Sequence, residues 1–280
     1  MPLVQSRPAE RGRPWPVPRG DGDARGLGPR AHRQPGRLGS GPSLGPKCVR
    51  RGLLLVMALA GCSRAPEGAS WFPLEAGHRW TYAVTTRSGA EAPERESLTL
   101  RTLGSATLVL DEQPAWQRRS DSGVNYWLRA DAGGIRRVAS KSDMQADPVA
   151  DPRDRYVLKA PYAVGTQWQA TTTAYLLMRM AEYPREIKHS HPAIPMTYEI
   201  EAVADAVQVP AGRFSPCLRV RGSATVRIFV DAISGYRDQP LTSVEWYCRG
   251  VGLVKLERSE PSNSPMLVGG SRVLELESWQ

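Results

Sequence analysis

The 280-residue chain carries 37 Lys+Arg against 28 Asp+Glu, a formal +9 that would usually raise nucleic acid or an anionic surface as a partner. Eleven of the basic residues, Arg7 through Arg51, but only Glu10, Asp21 and Asp23 among the acidic ones, precede residue 62, so the remainder stands at +1. A near-neutral body argues against a phosphate-binding groove, which needs a concentrated basic face with interleaved aromatics, and nucleic acid is not expected as a partner.

Taken in chain order, residues 1–46 are built largely from Pro, Gly and Arg with almost no periodic apolar pattern. Such a segment buries too little surface to offset its chain entropy. Residues 1–48 are therefore read as a disordered extension, or as lying upstream of the true start, near Val49. Lys47, Arg50 and Arg51 then form a positive region ahead of the apolar run 53–59 and the small residues Ala60 and Gly61, the layout of a secretion signal over 49–61. The run is too short for a membrane span, which takes about 20 apolar residues.

Leu59-Ala60-Gly61-Cys62 resembles the lipobox of bacterial lipoproteins. The resemblance implies cleavage between Gly61 and Cys62, a diacylglycerol thioether on the Cys62 sulfur, and an acyl chain such as palmitate on the new amino terminus. Several chains together anchor stably where one does not. Ser63 stands where some lipoproteins carry an inner-membrane retention aspartate, so the resemblance favours an outer-membrane destination, on the periplasmic face. Residues 62–70 read as the lipidated cysteine and its tether.

From Trp71 to Gln280 the period is two, as expected of strands with one wet face. Trp80, Tyr82 and Val84 alternate with Thr81, Ala83 and Thr85, and Val220, Ala224, Val226, Ile228 and Val230 alternate with Arg221, Ser223, Thr225 and Arg227. Further strands are expected near 98–101, 108–110, 116–119, 126–129, 196–203, 244–247, 252–257 and 271–278, with turns marked by Asp-Glu-Gln-Pro, Ala-Gly-Gly, Val-Pro-Ala-Gly and Arg-Gly-Val-Gly. The stretch 174–182 has some helical character, but its alternation favours one long strand over 167–180. Pro73-x-x-x-Gly77-x-x-Trp80 recurs as Pro161-x-x-x-Gly165-x-x-Trp168, each opening a strand.

The segments 72–82, 209–214 and 247–255 together resemble uncharacterised secreted bacterial β-domain families, including the TapB-like one. The resemblance implies a β architecture and carries over no catalytic residue. The polar segment 143–155 departs from it. The expected fold is all-β: a single antiparallel curved sheet, partly open barrel or sandwich, with little helix.

With Cys48 removed and Cys62 lipidated, Cys217 and Cys248 remain as a candidate disulfide in an oxidising compartment. Strand parity speaks against it: Cys217 shares parity with Arg219 and Arg221, Cys248 with Val244 and Trp246, so a bulge or register change is expected if they face each other. Two separately buried thiols are the alternative.

Chemistry-bearing motifs are sparse. Gly41-Pro42-Ser43-Leu44-Gly45 matches a nucleophile elbow but lacks the strand-to-helix context. His189 and His191, with Glu186, suggest metal ligands on one strand face, yet Pro192 and Pro195 follow at once. Asp143, Asp147, Asp151 and Asp154 lack the pattern of a calcium loop. No catalytic residue, metal or cofactor is assigned. The expectation is a non-catalytic envelope protein, tethered to the membrane through Cys62. It binds an apolar ligand or lipid within the sheet, or alternatively an envelope protein at a sheet edge, with an envelope hydrolase as the third class.

Overall fold

The computed structural model describes residues 70–152, 155–180 and 185–280. The first half runs β1 (Arg79–Ser88), β2 (Glu94–Leu108), β3 (Gln113–Ser120), β4 (Asn125–Asp131), β5 (Gly134–Lys141), β6 (Val149–Ala150) and β7 (Tyr156–Lys159). The second runs β8 (Gln167–Thr172), β9 (Met178–Arg179), a 3-10 turn at Ile187–His189, β10 (Ile194–Val209), β11 (Gly212–Asp231), β12 (Gly235–Cys248), β13 (Gly252–Glu260), β14 (Leu267–Val268) and β15 (Gly270–Trp279). The signal segment, Gly61, Cys62 and the elbow-like serine lie outside the described residues. No described helix is long and apolar enough to cross a membrane.

All pairings are antiparallel, and thirteen strands form one curved sheet in the order β6-β5-β4-β3-β2-β1-β15-β13-β12-β11-β10-β8, with β7 also paired to β5. Two five-strand meanders, β1 to β5 and β8 with β10 to β13, are thus joined side by side through the last strand, β15. Short β9 and β14 form a separate pair. The sheet is not closed: β7 pairs β5 and β8 pairs β10, but among the described residues no ladder joins β7 to β8.

The repeated Pro-Gly-Trp motif opens the two meanders with the same hydrogen bonds. Gly77 N–H donates to Thr102 O, and Thr102 N–H to His78 O; likewise Gly165 N–H donates to Ile200 O, and Ile200 N–H to Thr166 O. Both glycines have positive φ, 93° and 86°, where a Cβ is strained. Each leads into a buried tryptophan, Trp80 or Trp168.

Residues 71–74 enter the interior, where Trp71, Phe72 and Leu74 pack with Leu128, Ile135, Leu158, Trp168, Ile200, Leu218, Val220 and Tyr247. The strand pairings and apolar clusters of the described residues form one extensive core within residues 70–280. Among the described residues, Arg118 is buried with no carboxylate paired to it. The Arg118 guanidinium lies 4.5 Å from the Phe72 ring centroid and 4.3 Å from that of Trp80, and donates to Pro73 O and Thr102 Oγ1. Burial lowers its pKa to about 10, so it stays charged at neutral pH, held by the two rings.

Two expectations are corrected here. The long strand over 167–180 breaks after Thr172, because the Leu176 and Leu177 amides turn to the Glu260 carboxylate instead of a neighbouring strand. The segment expected at 108–110 instead ends β2 at Leu108, and Asp111 and Glu112 amides close a turn on Leu108 O.

Candidate binding site at the sheet seam

The sequence-predicted cysteines come together: Cys217 and Cys248 are disulfide-bonded. They are also direct cross-strand partners, with no register shift in the stretch that pairs Cys217 with Cys248, Arg219 with Trp246 and Arg221 with Val244. No bulge was needed, because Val244 and Trp246 share the face of Arg219 and Arg221. That face is mixed: Arg219 and Arg221 pair with Glu201 on it, while both cysteines are buried. Trp246 packs partly buried against the cluster around the cysteines, donates its Nε1–H to Asp205, and has Lys255 Nζ 5.8 Å from its ring centroid.

His189 and His191 do not share a strand face. His189 ends the 3-10 turn 3.6 Å from Glu186, whereas His191 contacts Ser190 Oγ and Arg227 O. Among the described residues no group of three His, Cys, Asp or Glu is placed to hold a metal ion. Of the four aspartates, Asp143 lies 3.7 Å from Arg119 and Asp151 pairs with Arg137 and Arg155; Asp154 lies outside the described residues.

Where β7 approaches β8, a cavity of about 140 Å³ opens between the two ends of the sheet. One wall comes from Arg137 on β5 with Arg155 and Tyr156, the other from Ala170, Thr171, Tyr198, Glu245 and Tyr247. Asp151 fixes the first wall. It accepts two hydrogen bonds from Arg137, at 2.6 and 2.7 Å, and its Oδ1 lies 3.4 Å from Arg155 Nε. Arg155 then crosses the seam, donating from Nη1 to Thr171 O and Oγ1.

The second wall is equally fixed. Tyr247 Oη–H donates to Glu245 at 2.5 Å and Ser243 Oγ–H at 2.9 Å, the three residues alternating along β12 so that all face inward. Tyr198 stacks on Trp168, centroids 5.5 Å apart and planes 12° from parallel. Its cross-strand partner is Gly222, where a Cβ would come within 2.8 Å of the tyrosine ring, so the glycine leaves the ring its place. The Trp168 indole N–H is buried without a hydrogen-bond partner among the described residues, an unusual state for a buried donor.

Burial raises the Glu245 carboxyl above its ordinary range, outweighing the hydrogen bonds from Tyr247 and Ser243. Burial likewise raises Tyr198 and Tyr247, aided by the neighbouring Glu245, and lowers Arg155, aided by Arg137. Because folding strengthens proton binding at Glu245, its contribution to stability is complete below the ordinary carboxylate range and is lost as pH rises through the raised value. Glu245→Gln, which keeps an acceptor for Tyr247, will flatten that decline in urea-unfolding curves measured from acid to neutral pH. An unchanged slope would mean that Glu245 does not titrate abnormally.

The sequence pointed to none of these cavity residues. They come from five strands or their flanks, and the polar stretch 143–155, legible only as a loop, supplies Asp151 and Arg155. Two other depressions, of about 450 and 490 Å³, are open and also lined by charged side chains.

No family model matches the chain, and no curated protein matches it. Two solved structures are similar to it. One, from Parabacteroides distasonis, is described as a "putative lipoprotein"; it is 13% identical, with 76% of this chain and 99% of that chain covered, at a TM-score of 0.34. The other, from Bacteroides fragilis, is described as a "putative exported protein with YmcC-like fold"; it is 17% identical over the same shares, at a TM-score of 0.31.

Proposed function

We propose that this chain is a lipoprotein of the cell envelope, anchored through Cys62, whose β domain binds a small polar ligand at the seam without transforming it. The signal-like stretch 49–61 and the Leu59-Ala60-Gly61-Cys62 motif support the anchor, and Ser63 supports the periplasmic face of the outer membrane as its destination. The observation carrying the binding role is the seam cavity, where guanidinium donors on one wall face a carboxyl and two phenols on the other. Those groups suit a ligand with both acceptor and donor ends, which the described cavities favour over the apolar ligand or lipid expected from the sequence.

A partner at a sheet edge is less well served. Edge strand β6 has two residues, and Arg155 occupies the Thr171 carbonyl of edge strand β8. Binding is favoured over turnover because both Glu245 oxygens already accept hydrogen bonds. The raised Glu245 carboxyl supports acid–base chemistry as a second reading.

Secreting residues 70–280 into a periplasm and comparing native with denatured mass tests the ligand. The expected result is an extra native mass that disappears on denaturation and is lost in Arg155→Met; a bare domain in cell extract and growth medium alike overturns the ligand-binding reading. Mass retained in Glu245→Gln supports binding, and product formation lost in that variant supports the second reading. For the anchor, Cys62→Ala in the full chain will move the protein from the membrane to the soluble fraction, and an unchanged distribution overturns lipidation.

A further inference from the structure

Three arginines stand in direct cross-strand register at one end of the sheet: Arg79 on β1 opposite Arg101 on β2, and Arg101 opposite Arg119 on β3. Adjacent strands place such side chains about 5 Å apart, and like charges in that position destabilise a sheet. The neighbouring carboxylates do little to relieve this. Asp121 accepts a hydrogen bond from the Thr99 amide, Asp143 lies 3.7 Å from Arg119, and no ion pair joins Arg79 or Arg101 among the described residues. The guanidinium groups line an open depression of about 450 Å³ together with Thr99, Leu103, Ser120 and Asp121. Leu103 is half exposed there. Alternation places the arginines on the face opposite Trp80, Thr102 and Arg118, all three of which are buried.

The same end receives the chain from Cys62. Ser70 O accepts a hydrogen bond from Gly250 N–H, Trp80 Nε1–H donates to Val251 O, and Arg79 pairs through its backbone with Gln280. Residues 71–73 pack behind the ladder, where Arg118 bonds Pro73 O and lies over Phe72. Only seven residues separate Cys62 from Ser70, a reach of roughly 25 Å when extended.

We propose that the Arg79–Arg101–Arg119 ladder is a docking surface for the anionic phosphates of lipid headgroups, set so that the domain lies against the membrane holding its own anchor. Charge complementarity and the entry of the tether at this end select that occupant. The orientation rests on the Cys62 anchor, whereas the ladder's lipid contact does not. The guanidinium groups bond phosphate oxygens, and the phosphates relieve the repulsion along the ladder.

The test uses residues 70–280, which lack Cys62, so its outcome is independent of lipidation. Sedimentation with phosphatidylcholine vesicles, with and without phosphatidylglycerol, is expected to show binding only to the anionic ones, weakening as salt rises. Each of Arg79→Gln, Arg101→Gln and Arg119→Gln is expected to weaken it by roughly fivefold, while Arg101→Gln leaves the thermal midpoint equal or higher. Equal binding to both vesicle types, or undiminished binding by the triple variant, overturns the proposal. Displacement by inorganic phosphate at fixed ionic strength, but not by chloride, overturns it in favour of a soluble anion.

Discussion

Replacing Glu260 with glutamine will lower the unfolding free energy by roughly 3–5 kcal/mol, the usual consequence of leaving a buried charge without its partner. Glu260 and Arg258 are both buried on β13, 2.9 Å apart. The second Glu260 oxygen accepts the Leu176 and Leu177 amides, at 2.9 and 3.0 Å, and Arg258 donates to Thr173 O and contacts Met196 Sδ. The pair therefore holds the segment after β8 onto the sheet. That attachment lets Ala174 and Leu177 join Ile187, Ile194, Met196, Ile228 and Leu241 in one apolar cluster. A glutamine keeps one acceptor but not the charge that balances Arg258. Urea unfolding gives the loss, and hydrogen exchange at Leu176 and Leu177 locates it: both amides will exchange far faster than in the parent. Replacing both Arg258 and Glu260 with apolar residues of similar volume will restore much of the stability, because neither charge is then left alone. Equal losses in the single and double variants would contradict this account.

Loss of the Cys217–Cys248 disulfide will cost roughly 3–4 kcal/mol on the chain-entropy model, for a sequence separation of 31 residues. The bond ties adjacent strands already in register, so the native fold needs no rearrangement when it is cut. The cost lies chiefly in the freedom returned to the unfolded chain. Both sulfurs are buried among Val207, Val209, Phe214, Val251, Val254 and Leu276, which separates two measurements. Reduction of the parent removes the cross-link and keeps the volume, whereas Cys217→Ala with Cys248→Ala also removes packed atoms and will be less stable than the reduced parent. Urea midpoints under oxidising and reducing conditions check both. A parent indifferent to reductant would show that the cross-link contributes nothing.

The sites differ in how far the sequence exposed them. The disulfide partners followed from compartment and elimination, but the parity argument against them failed at Trp246. Trp246 is partly buried against the apolar cluster that holds both cysteines, yet it shares its face with Arg219 and Arg221, because that face is mixed, and its indole N–H donates to Asp205. Strands β10 to β12 were legible in part, because stretches such as Val226, Ile228 and Val230 alternate cleanly with charged residues. Strand β5 was missed. Its neighbours Arg136 and Arg137 give it no clean alternation, and its pairing with β4 and β7 is what defines it.

Alternation, turn glycines and the repeated Pro-Gly-Trp motif were enough to determine an all-β chain and its two strand-opening units, because each depends on residues near in sequence. The leader pattern likewise defined the expected anchor at Cys62 by local composition. Only the tertiary structure decided which strands are neighbours, that β15 joins the two meanders, and that Arg137, Arg155, Tyr198 and Glu245 meet at a seam. It also decided that Arg79, Arg101 and Arg119 stand abreast. Those relations depend on register between strands many residues apart, and a period of two specifies the face of each strand without specifying its partner.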